Sequence, residues 1–428
     1  MKSVAIRIVS SKNQKELARL FSRRTERLEE AERVVAPIVK AVRREGDRAL
    51  VRYARRWDGF EGKPSELAVR PDQISAAEKT VSAGFRKALR QAARQIRQFC
   101  RLQMPKEWHK TTGQGINVGQ LVRPLESVGC YIPGGRYPLP STLLMTAIPA
   151  QGAGVKRVVV CTPRPVPEIL AVAQTLGIQE IYTVGGAHAI AALAYGTDTI
   201  QPVTKIVGPG NAYVAAAKRM VSRDTGIDFV AGPSEVLLIA EQGNPAWLAA
   251  DLLAQAEHDV DATALLLTPS KELAEAVARE VSEQLRSLPA GSPAAASLRN
   301  NGAIVMVRNL DEAVSLANRF APEHLCVPAG LPLARLQNAG SVFVGPYSTE
   351  AAGDYASGPN HVLPTSGLAR LRGGLSVLDF VKIITVQQLQ PEGLRKLAPT
   401  IVPLARGEGL EAHARSVEIR LKEVTSDK

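Results

Sequence analysis

Four short segments hold side chains able to do chemistry. Gln255 and His258 stand three residues apart in Gln255-Ala256-Glu257-His258-Asp259. Asn244-Pro245 supplies a helix start ahead of them, with Asn as N-cap and Pro in the first turn. On that helix the two side chains share one face. A Gln oxygen with a His nitrogen suits a divalent cation such as Zn²⁺ or Mn²⁺ that takes further ligands from elsewhere; the same pair also suits a helix face that simply meets water. Glu323 and His324 are adjacent, just past a helix end. Histidine titrates near neutral pH and can take a proton from an alcohol, so the pair fits acid–base work as well as it fits a half-exposed polar dipeptide. The run Asp354 to His361 contains a hard oxygen donor at Asp354, with Gly353 and Gly358-Pro359 allowing tight turns. His361 is a ligand, a proton-transfer group or a backbone hydrogen-bond partner. Glu408 and His413 close the series on what reads as an exposed, mixed-charge helix.

Glycine–proline loops surround further single polar residues: Tyr131-Ile132-Pro133-Gly134-Gly135, Gly208-Pro209-Gly210-Asn211 and Ala231-Gly232-Pro233-Ser234. Such loops let backbone approach a ligand closely. Gly185-Gly186-Ala187-His188 follows an apolar strand and so sits at its carboxyl end, where open α/β sheets bind ligands. Five of the six histidines fall in these segments, and only His109 does not. The G-x-G-x-x-G fingerprint is absent, so dinucleotide binding cannot be argued from that loop.

The elements carrying these residues follow from periodicity. Residues 12–57 read as helices, with Leu17, Leu20, Phe21 and Leu28 at helical spacing. Residues 74–103 read as one longer amphipathic helix with Ser75 as N-cap, and Arg86, Arg90, Arg94, Arg97 and Arg101 form a solvated stripe on it. Beyond residue 110 short apolar runs alternate with Ala-rich helices. Residues 155–160 and 181–184 read as strands, with 168–176 and 190–195 as helices. A second set follows: strand 235–240, helix 246–257, strand 264–267, helix 271–285, strand 303–307. This is βαβ logic, and it predicts an α/β chain with two Rossmann-like, incomplete parallel-sheet lobes. From about residue 378 the chain is expected to return to helices.

The 428 residues exceed one ordinary core. With 45% hydrophobic and 22% charged residues the composition is that of a globular protein. Net charge is +12, yet residues 1–110 carry 27 Lys and Arg against 13 Asp and Glu, so the excess sits in one segment. Aromatics are only 4%, which argues against stacking on single-stranded nucleic acid, and no nucleic-acid partner is expected. No apolar run reaches the roughly 18 residues of a transmembrane helix, and the first residues lack a signal-peptide pattern. The expected location is cytoplasmic, with no membrane partner. Four cysteines without C-x-x-C spacing fit a reducing compartment.

Taken together the segments resemble the histidinol dehydrogenase family. They are YIPGG from 131, GGAHAIAALAYGT from 185, KIVGPGNAYVAAAKR from 205, AGPSEV from 231, LLAQAEHD from 252, APEHL from 321, GDYASGPNHVLPT from 353 and EGLEAHARSV from 408. They occur in family order. The resemblance implies oxidation of L-histidinol to L-histidine, the last step of histidine biosynthesis, through an aldehyde and with two NAD⁺. It implies one Zn²⁺ per subunit on Gln255, His258, Asp354 and His413, the last from the partner subunit of a domain-swapped homodimer with shared sites. It assigns acid–base work to His324 and Glu323. Substrate contact falls to Ser234, His361 and Glu408 together with the metal set and His324, and NAD contact to Tyr131, His188 and Asn211. The family usually has Gln where this chain has His188. That departure motivates the alternative of a paralogous NAD-dependent dehydrogenase for another small diol or amino alcohol. The expected division is 1–25 as an N-terminal helical segment; 26–125 with 238–377 as one Rossmann-like domain; 126–237 as the second, on the NAD side; and 378–428 as a C-terminal helical domain reaching the partner's site.

Overall fold

The computed structural model describes residues 6–22, 26–134 and 138–426; Gly135 lies outside the described residues. The chain divides into two units, Met1–Gln103 with Glu126–Asp379, and Met104–Leu125 with Phe380–Lys428.

The first unit holds two wholly parallel sheets. One has five strands in the order Glu180–Tyr182, Arg157–Cys161, Ser127–Tyr131, Lys205–Val207, Gly226–Ile227. The other has six, in the order Arg7–Ser10, Ala303–Met306, Thr263–Thr268, Glu235–Ile239, His324–Val327, Ser341–Val344. With Arg7–Ser10 set aside, each sheet runs third, second, first, fourth, fifth strand of its own set. Strand order therefore reverses beside the first strand in both, the position at which doubly wound sheets open a crevice.

Alternation in the strands explains the layers. Val236, Leu238, Ala264 and Leu266 belong to one core, while Leu237, Ile239, Leu265 and Leu267 belong to another. Successive side chains point to opposite faces, and both faces are covered, so these strands read as continuous apolar runs. Helices such as Pro245–Ala256 and Lys271–Gln284 supply the covering on one face. A third core joins the five-stranded sheet to the helices Glu26–Glu45 and Asp47–Trp57 through Val35, Val39, Val42, Leu50 and Ala54.

Several expectations change here. The segment 1–25 is not only helical, because Arg7–Ser10 is an edge strand of the six-stranded sheet. The helices Glu26–Glu45 and Asp47–Trp57 pack on the five-stranded sheet and its helices, while Ala83–Gln103 packs on Pro140–Gly152 and meets Gly358 through Gln95 and Phe99. The boundary at 237 falls inside the strand Glu235–Ile239. The 74–103 helix is two helices, Pro71–Thr80 and Ala83–Gln103. Val81 is extended, and Ser82 Oγ accepts the Phe85 N–H at 3.1 Å, so Ser82 opens the second helix while Ser75 lies within the first. Arg86 leaves the solvated stripe: it is half-buried and donates to the carbonyls of Glu78 (2.8 Å) and Val81 (2.7 Å) at the end of the first helix.

The second unit is an antiparallel sheet of Trp108–Gly113, Ile116–Pro124 and Val381–Leu389, followed by the paired helices Pro391–Gly407 and Glu411–Ser426. The part from 378 thus begins with a nine-residue strand before its helices. Among the described residues no helix is long and apolar enough to cross a membrane.

Candidate active site

The helix Leu310–Phe320 ends on Ala321, which has φ 54°, the left-handed conformation that stops a helix. The chain then turns through Pro322 into the strand His324–Val327, so Glu323 and His324 stand at the strand's amino end. Ser234 and Glu235 occupy the amino end of the neighbouring strand, where His324 pairs with Val236. Glu323 Oε2 accepts the Ser234 hydroxyl at 2.6 Å and the Glu235 N–H at 2.8 Å. Burial pushes the Glu323 carboxyl up, against the pull of His324, Ser234 and the Glu235 amide.

His324 Nδ1–H donates to the Glu235 carbonyl at 3.0 Å. That bond fixes the ring and leaves Nε2 as its acceptor nitrogen when neutral. Nε2 is buried without a hydrogen-bond partner and lies 3.8 Å from Asp354 Oδ1. Burial alone would lower this imidazole's pKa, but Glu323, Glu350 and Asp354 raise it to about 10. Asp354 is itself held below the usual carboxylate range; burial opposes this, and His324, His361 and His258 outweigh it.

Glu350 is the residue that sequence reasoning missed. It stands four residues before Asp354 on the short helix Glu350–Tyr355, which Thr349 caps. An i,i+4 pair of carboxylates on one helix face was the available signal. Glu350 is 2% exposed, with Oε1 3.9 Å from both His258 Nε2 and His324 Nδ1. Burial raises its carboxyl to about 8. His258, Glu350 and Asp354 bring one ligand atom each within 4.8 Å of the others.

The fully buried Gln255 amide tests this cluster for a cation. Turned so that its NH₂ group donates to Glu350 Oε1 (2.6 Å), it places its oxygen 2.9 Å from Ser234 Oγ and 3.3 Å from the Glu235 nitrogen. Both of those groups already donate to Glu323, and a hydroxyl has one proton to give. Turned the other way, the amide nitrogen faces Ser234 Oγ and the Glu235 nitrogen, and its oxygen stands against the Glu350 carboxylate. A positive charge beside Glu350 reconciles that contact. The donor set of one imidazole, carboxylates and an amide oxygen fits Zn²⁺.

His361 donates from Nδ1 to the Asp354 carbonyl at 2.9 Å, with Nε2 3.5 Å from Thr142 Oγ1; burial lowers its pKa. Ser234, His258, Glu323, His324, Asp354 and His361 share a cavity of about 180 Å³, which Pro209 and Gly210 also line. A second cavity, of about 480 Å³, reaches His324 and Asp354 from the side of Phe343 and Tyr347.

Tyr131, His188 and Asn211 gather at the opposite kind of edge, the carboxyl ends of the five-stranded sheet. Buried Tyr131 accepts the Gly186 N–H on its hydroxyl oxygen at 3.0 Å. His188 is also buried, with Nε2 2.7 Å from Asp58 Oδ2, an oxygen that also accepts the Gly185 N–H at 2.9 Å. The rings of Tyr53 and Trp57 lie about 6 Å from the imidazole. Asn211 caps the helix Ala212–Val221 by accepting the N–H groups of Tyr213 and Val214. The smaller cavity is thus lined from the carboxyl edge of one sheet, by Pro209 and Gly210, and from the amino edge of the other, by Ser234 and His324, whereas Tyr131, His188 and Asn211 line neither of the two cavities. Glu408 and His413 belong to the second unit, where both are exposed.

Comparison with known proteins gives one answer. The family model for histidinol dehydrogenase matches residues 21–421. A histidinol dehydrogenase of Rhizobium meliloti is 46% identical over 98% of this chain and 98% of its own length. One of Methanothermobacter thermautotrophicus is 49% identical over 91% of this chain and 93% of its own. The crystal structure of histidinol dehydrogenase from Elizabethkingia anophelis superposes with a TM-score of 0.93 at 37% identity, covering 99% of this chain and 100% of that one.

Proposed function

The chain belongs to the histidinol dehydrogenase family, and from that premise we infer that it is an NAD-dependent oxidoreductase that converts L-histidinol to L-histidine, the last step of histidine biosynthesis. The observation carrying the chemistry is the buried Glu323–His324 pair, with His324 Nε2 unpartnered at the wall of the shared cavity.

His324 takes the proton of the substrate hydroxyl on Nε2 as the C–H hydride departs, which leaves histidinal. The aldehyde then gains water across its C=O bond. Glu323 removes a proton from that water, and His324 again serves the hydroxyl as the second hydride leaves. In balance, one histidinol, one water and two NAD⁺ yield one histidine carboxylate, two NADH and three protons. NAD⁺ supplies the hydride acceptor in both halves.

Zn²⁺ would be held by Gln255, His258 and Asp354, with His413 of the partner subunit as the remaining protein ligand. When bound it supplies a positive charge that anchors the nitrogen donors of histidinol and offsets the carboxylates that otherwise keep His324 protonated. Glu350 lies against this set, and its buried carboxylate supports the reading of a cation there. Ser234, His361 and Glu408 are the further substrate contacts, and they keep the reacting carbon in register with His324. Tyr131, Asn211 and His188 serve NAD; His188 acts through Asp58, which holds the Gly185 amide at the sheet's carboxyl edge. The exposed position of Glu408 and His413 supports a homodimer in which these residues are shared between subunits.

The test is stoichiometric. The full-length, zinc-loaded protein with limiting L-histidinol and excess NAD⁺ should yield two NADH per histidinol, followed by absorbance. One NADH, or none, overturns the assignment.

A further inference from the structure

Lys218 is a buried lysine, only 2% exposed. It lies on the helix Ala212–Val221, and none of the chemistry above uses it. Its ammonium pairs with Asp228, whose side chain is wholly buried. Taking both charges out of water is unfavourable, and a well-packed apolar pair would serve stability as well or better. What the two groups bond to explains their presence. Lys218 Nζ donates to the Gly208 carbonyl at 3.0 Å, and Asp228 Oδ2 accepts the Gly208 N–H at 2.8 Å. One ion pair therefore holds the peptide groups on both sides of a single glycine.

That glycine opens the turn Gly208–Asn211. Its φ is 121°, and a Cβ there would lie 2.2 Å from the Tyr131 carbonyl oxygen. Tyr131 and Gly208 end or follow neighbouring strands, the first and fourth of the five-stranded set, so the turn sits where the strand order reverses. Its next residues, Pro209 and Gly210, line the same cavity as Ser234 and His324. Asp228 Oδ1 also accepts the N–H of Phe229, a further residue of that lining, at 2.6 Å. Arg372 donates to the Asp228 carbonyl at 2.7 Å and lies 4.9 Å from the Phe229 ring centroid. The charges thus fix two parts of the cavity wall at once.

We propose that Lys218 and Asp228 are positioning residues for the dinucleotide, locking the Gly208 turn in the form that receives NAD. The inference rests on the reading that this turn, with Tyr131 and Asn211, is the cofactor side of the site. Losing the lock frees both peptides to rotate, and the turn must then be ordered again each time the cofactor binds.

The experiment uses the full-length, zinc-loaded enzyme, its Lys218→Met variant and the double variant Lys218→Met/Asp228→Asn. The double variant carries no unpaired buried charge and keeps the comparison valid if Lys218→Met does not fold. Amide hydrogen exchange of residues 205–214 is followed with and without NADH, beside KM for each substrate and bound zinc. In the wild-type enzyme NADH should protect the turn. In the double variant the turn should exchange faster, and KM for NAD⁺ should rise about tenfold. KM for histidinol, kcat at saturating NAD⁺ and zinc content should stay within about twofold of wild type. Two results overturn the inference, and they are distinguishable. No protection of the turn by NADH in the wild-type enzyme removes the turn from the cofactor site. Protection in the wild type with an unchanged KM for NAD⁺ in the double variant makes the ion pair purely structural.

Discussion

Asp251 stands one helical turn before Gln255 on the helix Pro245–Ala256, and burial alone lifts its carboxyl from 3.8 to about 6. A carboxyl raised on folding binds a proton in the native state that the unfolded chain has already released. Stability contributed by this group is therefore lost as pH rises from about 4 to about 6, and the penalty is complete above that window. Asp251→Asn should raise Tm at pH 7.5 and leave it unchanged at pH 3.5, as scanning calorimetry at the two pH values would show. An equal change at both would contradict the sign. Glu323, His324, Gln255, His258 and Asp354 were legible as side chains because each sits in a segment with few other duties. Glu350 was not, because its environment is made by tertiary structure. The four-residue spacing to Asp354 puts the two carboxylates on one helix face, but nothing in that spacing announces that Glu350 will be 2% exposed and 3.9 Å from both His258 and His324. Lys218 was hidden for the same reason, since a lysine near a helix end normally reaches water.

Among the secondary-structure elements, the parallel strands near 157–161, 180–182, 235–239, 263–268 and 303–306 were legible, since a strand covered on both faces must be apolar throughout, as Glu235–Ile239 is after its first residue. The strands Arg7–Ser10, Ser127–Tyr131, Lys205–Val207, Gly226–Ile227, His324–Val327 and Ser341–Val344 went unread because each is short and mixed in polarity or flanked by Gly and Pro. The antiparallel strands Trp108–Gly113, Ile116–Pro124 and Val381–Leu389 went unread. The outer two are largely exposed and the central one is half-buried along its length, so no clean alternation marks them, and Ile383 pairs with Val122 from far away in the chain. The break between Pro71–Thr80 and Ala83–Gln103 was equally hidden, because neither Gly nor Pro punctuates Val81-Ser82 and the apolar spacing runs on across it. Arg86 secures that corner by satisfying two carbonyls the first helix leaves open. Arg86→Ala should therefore destabilise the protein by about 1.5–3 kcal/mol, the range for hydrogen bonds that involve a charged group. Arg101→Ala, at an exposed position of the same helix, should stay within about 0.5 kcal/mol. Urea denaturation of both variants checks the contrast, and equal effects would return Arg86 to the solvated stripe.

In the whole molecule, the basic excess of residues 1–110 rides largely on helices that cover both parallel sheets: Gln14–Ser22 packs on the six-stranded sheet through Leu17 and Leu20, and Glu26–Glu45 with Asp47–Trp57 on the five-stranded one. The subunit arrangement is open to a direct test. His413→Ala and Gln255→Ala should each abolish zinc binding and activity. If ligands cross between subunits, mixing the two after subunit exchange should restore about one working site per mixed dimer. No recovery after exchange verified by mass spectrometry would place His413 outside the partner's site. The edge strand Arg7–Ser10 has a consequence for how the protein is made. Its partner Ala303–Met306 follows almost three hundred residues later, so during synthesis the ribosome releases most of the chain before that edge can close. Arg7 then joins the Asn300 and Gly302 carbonyls and Glu16. A fragment ending before residue 303 would leave its first strand unpaired, and chaperone capture of such nascent chains should fall once Ala303–Met306 has cleared the exit tunnel.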